Sequence, residues 1–149
     1  MDVQQLYQQV ILDHARAPHH VGLREPFQTE VRHVNPTCGD EIVLRAQVDD
    51  GVVTDVSYEP LGCSISVASA SVMADTVTGA TIEEAMAGYD RVLELLQSRG
   101  QGEPDPDTLG DAVAFAGVAK FPARVKCALL GWAAMRDAVL TATTTEDHR

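Results

Sequence analysis

Four side chains in this sequence combine metal affinity with positions where distant parts of a chain can meet. They are Cys38 and Asp40 in NPTCGDEI, Cys63 in PLGCSIS and Cys127 in ARVKCALL. Three thiolates and one carboxylate make four ligands, the number zinc takes in a tetrahedral site. Gly39 lies between Cys38 and Asp40, and a residue free to take left-handed backbone lets both neighbours turn towards one ion. Gly62 offers the same freedom before Cys63. A cysteine opening a helix also gains thiolate character from the helix dipole. A Cys-x-Asp pair alone is a weak signal. The spacings, 25 residues from Cys38 to Cys63 and 64 from Cys63 to Cys127, match no zinc-finger pattern. On the residues alone, a metal site and three inert thiols both stand.

The elements around these residues follow from periodicity. Leu6, Val10 and Ile11 recur at helical spacing, and Pro18 closes that first helix. FQTEVRHV, EIVLRAQV and VVTDVSYE read as strands. Ile42, Leu44, Ala46 and Val48 alternate with Val43, Arg45 and Gln47, and DDG at 49–51 signals a hairpin. The rest reads as helices. One runs over 64–79 with Gly79 as its stop, and its SVASASVMA stretch of small residues predicts close packing on the sheet. One opens at Thr81 with Glu84 three residues on, a capping box. A short helix covers 108–118, after the polar link QGEPDPD. The last helix, ARVKCALLGWAAMRDAVLTA, carries Trp132 and Met135 as core residues. From about 141 to 149 the sequence reads as a frayed tail. Strands first and helices afterwards predict an α+β fold, a small three-stranded antiparallel sheet covered by helices, as one domain over 1–149. Cys38 then falls on the link between two strands, Cys63 between the third strand and its helix, and Cys127 near the start of the last helix. Structural cysteines belong more often inside elements, as small apolar side chains.

Bulk properties narrow the partners. Of 149 residues, 45% are hydrophobic, enough for one core, and the formal net charge is −11. Such a surface repels phosphate backbones and anionic lipid, so nucleic acid and membranes are not expected partners. MDVQQLYQQVILDHARAP lacks the basic start and apolar run of a signal peptide, and no run approaches a membrane span. A cytoplasmic setting follows, where thiols stay reduced and three cysteines serve metal or thiol chemistry.

Three of these stretches, NPTCGDEI, GCSISVASASVM and KFPARVKCALLGW, occur in that order behind LYQQVILDHARAP. Together they resemble the U-type iron–sulfur cluster assembly family (IscU and NifU N-domain-like), and within it the SufU branch. The resemblance runs from about Leu6 to Trp132 and implies a SufU/IscU-like fold. It implies that Cys38, Asp40, Cys63 and Cys127 hold zinc. It also implies a sulfurtransferase that takes persulfide sulfur from a pyridoxal-phosphate cysteine desulfurase of the SufS type and passes it to downstream iron–sulfur assembly proteins. Two features favour the SufU branch. Scaffold-type members carry a His immediately before the third cysteine, where this chain has Lys126. SufU members have a longer segment between the second and third cysteines, and GYDRVLELLQSRGQGEPDPDTLGD is similar to that insertion. Two alternatives remain: a scaffold that builds a cluster on the same ligands, and a non-catalytic, zinc-stabilised activator of the desulfurase.

Zinc is redox-silent and keeps bound sulfur deprotonated, so its ligand is a held-back nucleophile. Cys38, on a Gly-bearing loop, is the expected sulfur acceptor, because Cys63 and Cys127 are tied to helix starts. Arg124, three residues before Cys127, is expected to offset the surplus negative charge of three thiolates and a carboxylate. His14 reads as a solvated or packed helix residue. His19, His20 and His33 have no ligand spacing and read as loop and strand surface.

Overall fold

The alternating apolar residues of the second predicted strand set the layering. The computed structural model describes residues 3–101 and 104–147. It contains one antiparallel sheet in the order β1 (Thr29–Asn35), β2 (Asp40–Asp49), β3 (Val52–Leu61). Side chains alternate across a pleated strand, so Ile42, Leu44, Ala46 and Val48 all face the core, none more than 2% exposed. Asp40 lies two residues before Ile42 and therefore begins β2 on that same buried face. Asp50 and Gly51 both have positive φ, 52° and 76°. That is the type I′ pattern whose twist suits a two-residue hairpin between β2 and β3.

The pairing register brings three chain segments to one end of the sheet. Asn35 pairs with Asp40, and Glu41 pairs with Leu61. The Pro36–Gly39 loop, the start of β2 and the Gly62–Cys63 exit of β3 are therefore neighbours.

Helices α1 (Val3–Arg16), α2 (Ser64–Val77), α3 (Ile82–Gln97) and α5 (Pro122–Asp147) supply the cover. Pro122 opens α5 at the position where a missing N–H costs nothing. This helix lies over β1 and β2, and α2 packs on α5 and α1. Trp132 and Met135 are core residues, 1% and 0% exposed. Thr81 caps α3 by accepting the Glu84 N–H at 3.1 Å, and its hydroxyl meets the Glu84 carboxylate.

Three expectations change in detail. The small residues of α2 do not chiefly serve the sheet. They admit α5, for a Cβ on Gly131 would lie 3.1 Å from the Ala70 Cα. Buried Ser69 also donates to the Ala128 carbonyl of α5. The segment before α5 is not a single short helix over 108–118. It is a four-residue α4 (Pro106–Leu109), capped by Asp105 accepting from the Asp107 N–H, followed by a 3₁₀ segment, Gly110–Lys120. Gly110, at φ 56°, marks the change of course. Finally, α5 continues to Asp147, beyond the point near 141 where a frayed tail is expected. Its threonines bond inside the helix, Thr143 Oγ1 to the Val139 carbonyl at 2.8 Å and Thr144 Oγ1 to that of Leu140 at 3.1 Å. This back-bonding lets a hydroxyl sit within a helix. Residues 148 and 149 lie outside the described residues.

Candidate metal centre

The first corner is built by the loop joining β1 to β2. Gly39 takes φ +78° and donates its N–H to the Asn35 carbonyl at 2.8 Å, which closes the turn. Here glycine's access to left-handed backbone is what the loop uses. Asn35 is 5% exposed, and its side-chain oxygen accepts the Thr37 N–H at 3.2 Å. Its amide nitrogen is thereby turned towards sulfur, 2.9 Å from Cys38 Sγ and 3.9 Å from Cys127 Sγ.

Asp40 is the hub. Cys38 Sγ lies 3.0 Å from Asp40 Oδ2 and 3.2 Å from Cys127 Sγ. One ligand atom from each of Cys38, Asp40 and Cys127 fits within a 4.8 Å span. Cys63 stands at the N-cap of α2, with Sγ at 3.7 Å from Asp40 Oδ2. Its own N–H donates to Asp40 Oδ1 at 3.1 Å. Ser66, one turn into α2, donates its hydroxyl proton to Asp40 Oδ2 at 2.7 Å, with the Cys127 carbonyl at 3.2 Å. The carboxylate thus sits at a helix N-terminus, where donors and dipole favour negative charge. Gly62 acts differently from the expectation of backbone freedom. Its φ is not in the left-handed region, but a Cβ there would stand 2.5 Å from Asp40 Oδ1. The position needs glycine for space.

The electrostatics describe a corner that wants a cation. Burial raises the Asp40 pKa, but hydrogen bonds from Cys38, Ser66, Cys127 and the Cys63 backbone outweigh it and hold the carboxyl at about 2. Burial, then the hydrogen bonds to Cys38 and Asp40 and the nearby negative charge, push the Cys127 thiol well above its ordinary value. Without positive charge Cys127 stays protonated; a divalent ion reverses that, since a coordinating thiol is deprotonated outright. Cys38, Asp40 and Cys127 offer donors that suit zinc, which binds both thiolate sulfur and carboxylate oxygen, while Cys63 Sγ, expected as the fourth ligand, reaches Asp40 but lies outside the 4.8 Å span of the other three.

Cys38 and Cys63 are exposed while Cys127 is buried, so two of the three cysteines are open to solvent. Arg124 is exposed one turn before Cys127, and no hydrogen bond or ion pair links its guanidinium to the thiols among the described residues. It lines an apolar cleft of about 540 Å³ with Tyr7, Ile11, Leu12, Ile65 and Phe121. Lys126 faces a separate hollow beside Pro36 and Thr37. His14 is packed, 5% exposed, and His33 pairs with Asp137 at 2.8 Å. Asn35 and Ser66 also belong to this corner. Asn35 sits inside the NPTCGD stretch and Ser66 three residues after Cys63, but neither residue type announces a sulfur or carboxylate partner.

A three-stranded sheet with helices on one face, carrying three cysteines and an aspartate at one end, defines an α+β protein with a thiol-rich corner. Residues 6–128 match the family described as NifU-like N terminal domain, and the chain belongs to that family. It is 43% identical over 134 residues to the iron-sulfur cluster assembly scaffold protein IscU of Streptococcus pyogenes serotype M1, covering 90% of this chain and 82% of that protein. It is 42% identical over 135 residues to the zinc-dependent sulfurtransferase SufU of Bacillus subtilis, covering 90% and 89%. Its fold superposes on the crystal structure of a nitrogen-fixing NifU-like protein (N-terminal) from Brucella abortus with a TM-score of 0.83 at 28% identity, over 95% of this chain and 97% of that one. No helix among the described residues is long and apolar enough to cross a membrane.

Proposed function

We propose that this chain serves iron–sulfur cluster assembly as a zinc-dependent sulfur carrier. It receives persulfide sulfur from a SufS-type pyridoxal-phosphate cysteine desulfurase and hands it to downstream assembly proteins. One observation carries the reading: an exposed thiol, Cys38, is held against an ionised carboxylate and a buried second thiol at the end of the sheet. Zinc held by Cys38, Asp40, Cys63 and Cys127 supplies thiolate character at neutral pH.

The protein's own groups do the rest. Cys38 Sγ attacks the outer sulfur of the desulfurase persulfide. A new S–S bond forms on Cys38, the old one breaks, and the desulfurase cysteine leaves as thiolate, so no external oxidant or reductant is needed. The Asn35 amide N–H points at Cys38 Sγ, the attacking sulfur. Arg124 adds positive charge at the cleft mouth. Leu12, at 42% exposure, and Phe121, at 58%, line that cleft, and Leu61, at 67%, lies two residues before Cys63. These apolar side chains give a partner a face to cover.

The second reading is a scaffold that holds a cluster on the same ligands, and the name of the Streptococcus pyogenes relative favours it. Lys126, where scaffold-type members resembling this chain carry His, favours the carrier. The test is metal analysis of the isolated protein, then mass spectrometry after mixing it with the desulfurase and cysteine. One zinc per chain and a persulfide on Cys38 support the carrier. A stable coloured cluster with little zinc supports the scaffold, and desulfurase activation without any persulfide on this chain supports an activator.

A further inference from the structure

The far half of α2 carries a second convergence of metal-ligating side chains. Ser71 lies eight residues beyond Cys63, about 12 Å along a helix that rises 1.5 Å per residue. Around it gather His14 from α1, His19 and His20 from the following loop, Asp75 from α2 and Asp111 from the 3₁₀ segment. One ligand atom from each of His14, His19 and Asp75 falls within a 4.8 Å span. The His14 and His19 rings stand 4.7 Å apart, tilted by 52°.

The remaining groups orient these three. His14 is 5% exposed, with Nε2 2.9 Å from Asp111 Oδ2 and Nδ1 2.7 Å from Ser71 Oγ. A carboxylate accepting from Nε2 places the proton there and leaves the Nδ1 lone pair facing Ser71. Ser71 Oγ also accepts the His19 N–H at 2.8 Å, and its rotatable hydroxyl proton would turn away from Nδ1 for an ion to bind there. A carboxylate behind a histidine is the arrangement that fixes tautomer and ring orientation behind metal-bound imidazoles. His19 Nδ1 bonds one oxygen of Asp75, and His20 Nε2 lies 3.2 Å from the other. Consecutive residues of an extended chain point to opposite sides. His20 sits at φ 62°, and that left-handed residue lets both imidazoles reach one carboxylate. Neither Asp75 nor Asp111 has a Lys or Arg partner among the described residues. The ion-pair partners of the two carboxylates among the described residues are these histidines, in a chain of net charge −11.

We propose that His14, His19 and Asp75 form a second metal site, separate from the thiol corner. Asp111 and His20 are its outer, orienting partners. Two imidazoles and a carboxylate with open positions select a divalent first-row ion that favours nitrogen and oxygen, from iron(II) to zinc. The thiol corner selects softer coordination, so the two sites sort ions by donor type. A bound ion ties the 17–22 loop to α1 and α2. This inference does not depend on what the thiol corner does.

The test uses the full chain, loaded with one equivalent of zinc and then titrated with more. Calorimetry counts the equivalents, and imidazole ¹⁵N signals report where they bind. A second equivalent is expected, moving the His14 and His19 signals and leaving His33 unmoved. His19→Gln and Asp75→Asn, both at exposed positions, should each abolish or weaken it at least about ten-fold while the first equivalent stays. Asp111→Asn should weaken it by about 10–100-fold, the usual loss for an outer-shell partner. No second equivalent on the wild-type chain, or one that survives His19→Gln and Asp75→Asn, overturns the proposal. If the imidazoles take zinc and the thiols take none, the sulfur-carrier reading fails and this site stands.

Discussion

The two ends of α2 solve the same problem with different means. At the first end, the Asp40 carboxylate is served by the Cys63 backbone N–H and the Ser66 hydroxyl, because a helix start has spare donors. At the far end the backbone is consumed by the helix itself. There side chains and the His19 backbone N–H serve one another, linking His14, Ser71, His19, His20, Asp75 and Asp111. The first arrangement leaves two cysteines exposed. The second surrounds a buried imidazole and ties four segments together. A helix terminus is therefore suited to exchange chemistry, and a helix middle to fixed cross-links.

Removing the ion should separate the two ends most strongly. If zinc binds at a Kd a thousand-fold below its free concentration, it stabilises the fold by about 4 kcal/mol. Chelation should then lower the melting temperature by on the order of 10 °C for a chain of this size. An unchanged melting curve after verified zinc removal would show that the thiol corner is not part of the folding energy. Next comes His14→Ala. It leaves Ser71 and Asp111 without their imidazole and should cost about 2–3 kcal/mol in denaturant unfolding. Sulfur acceptance by Cys38 should change less than two-fold per folded molecule. A loss of transfer without a loss of stability would erase the contrast between the two ends.

The acid limb offers a smaller effect. The folded Asp40 pKa of about 2 lies below its ordinary 3.8. Its contribution is present above pH 4 and is lost as pH falls through 2. For the zinc-free chain that is about 2 kcal/mol. Asp40→Asn should flatten stability between pH 4 and pH 2, and in the loaded protein it should speed zinc exchange and impair transfer. An acid limb as steep as the wild type's would mean that other carboxyls set it. The smallest change is expected from Asn35→Ala. Loss of one hydrogen bond of about 1 kcal/mol should slow alkylation of Cys38 in the zinc-free chain roughly five-fold at neutral pH. Equal rates would remove Asn35 from any role in steadying the sulfur.

Much of the first end was legible in the chain. The two-residue alternation from Ile42 to Val48 gave β2 and its buried face. The Asp50-Gly51 pair gave the hairpin, and the three cysteines fell at the predicted element ends. What escaped notice depends on contacts between elements. Gly62 looks like a flexible joint in sequence, yet it is needed because Asp40 lies against it. The small residues of α2 declare close packing but not the partner, which is α5 through Gly131 and Ala70. The far end could not be read at all. His14 meets Ser71 across 57 residues and Asp111 across 97. No spacing rule reaches that far, because the meeting is set by how α1 docks on α2 and on the 3₁₀ segment.

The place of Asp40 on the pleat has a consequence for how the chain avoids misfolding. Slippage of β2 by one residue would turn Ile42, Leu44, Ala46 and Val48 outward together. The same slip would swing Asp40 away from the sulfurs and present Glu41, a longer acid, in its place. Core packing and ligand placement are thus two locks cut to one key. An ion closing on Cys38, Asp40 and Cys127 would reject the misaligned sheet that hydrophobic burial alone already disfavours. The corner would then act as a proofreader of strand alignment.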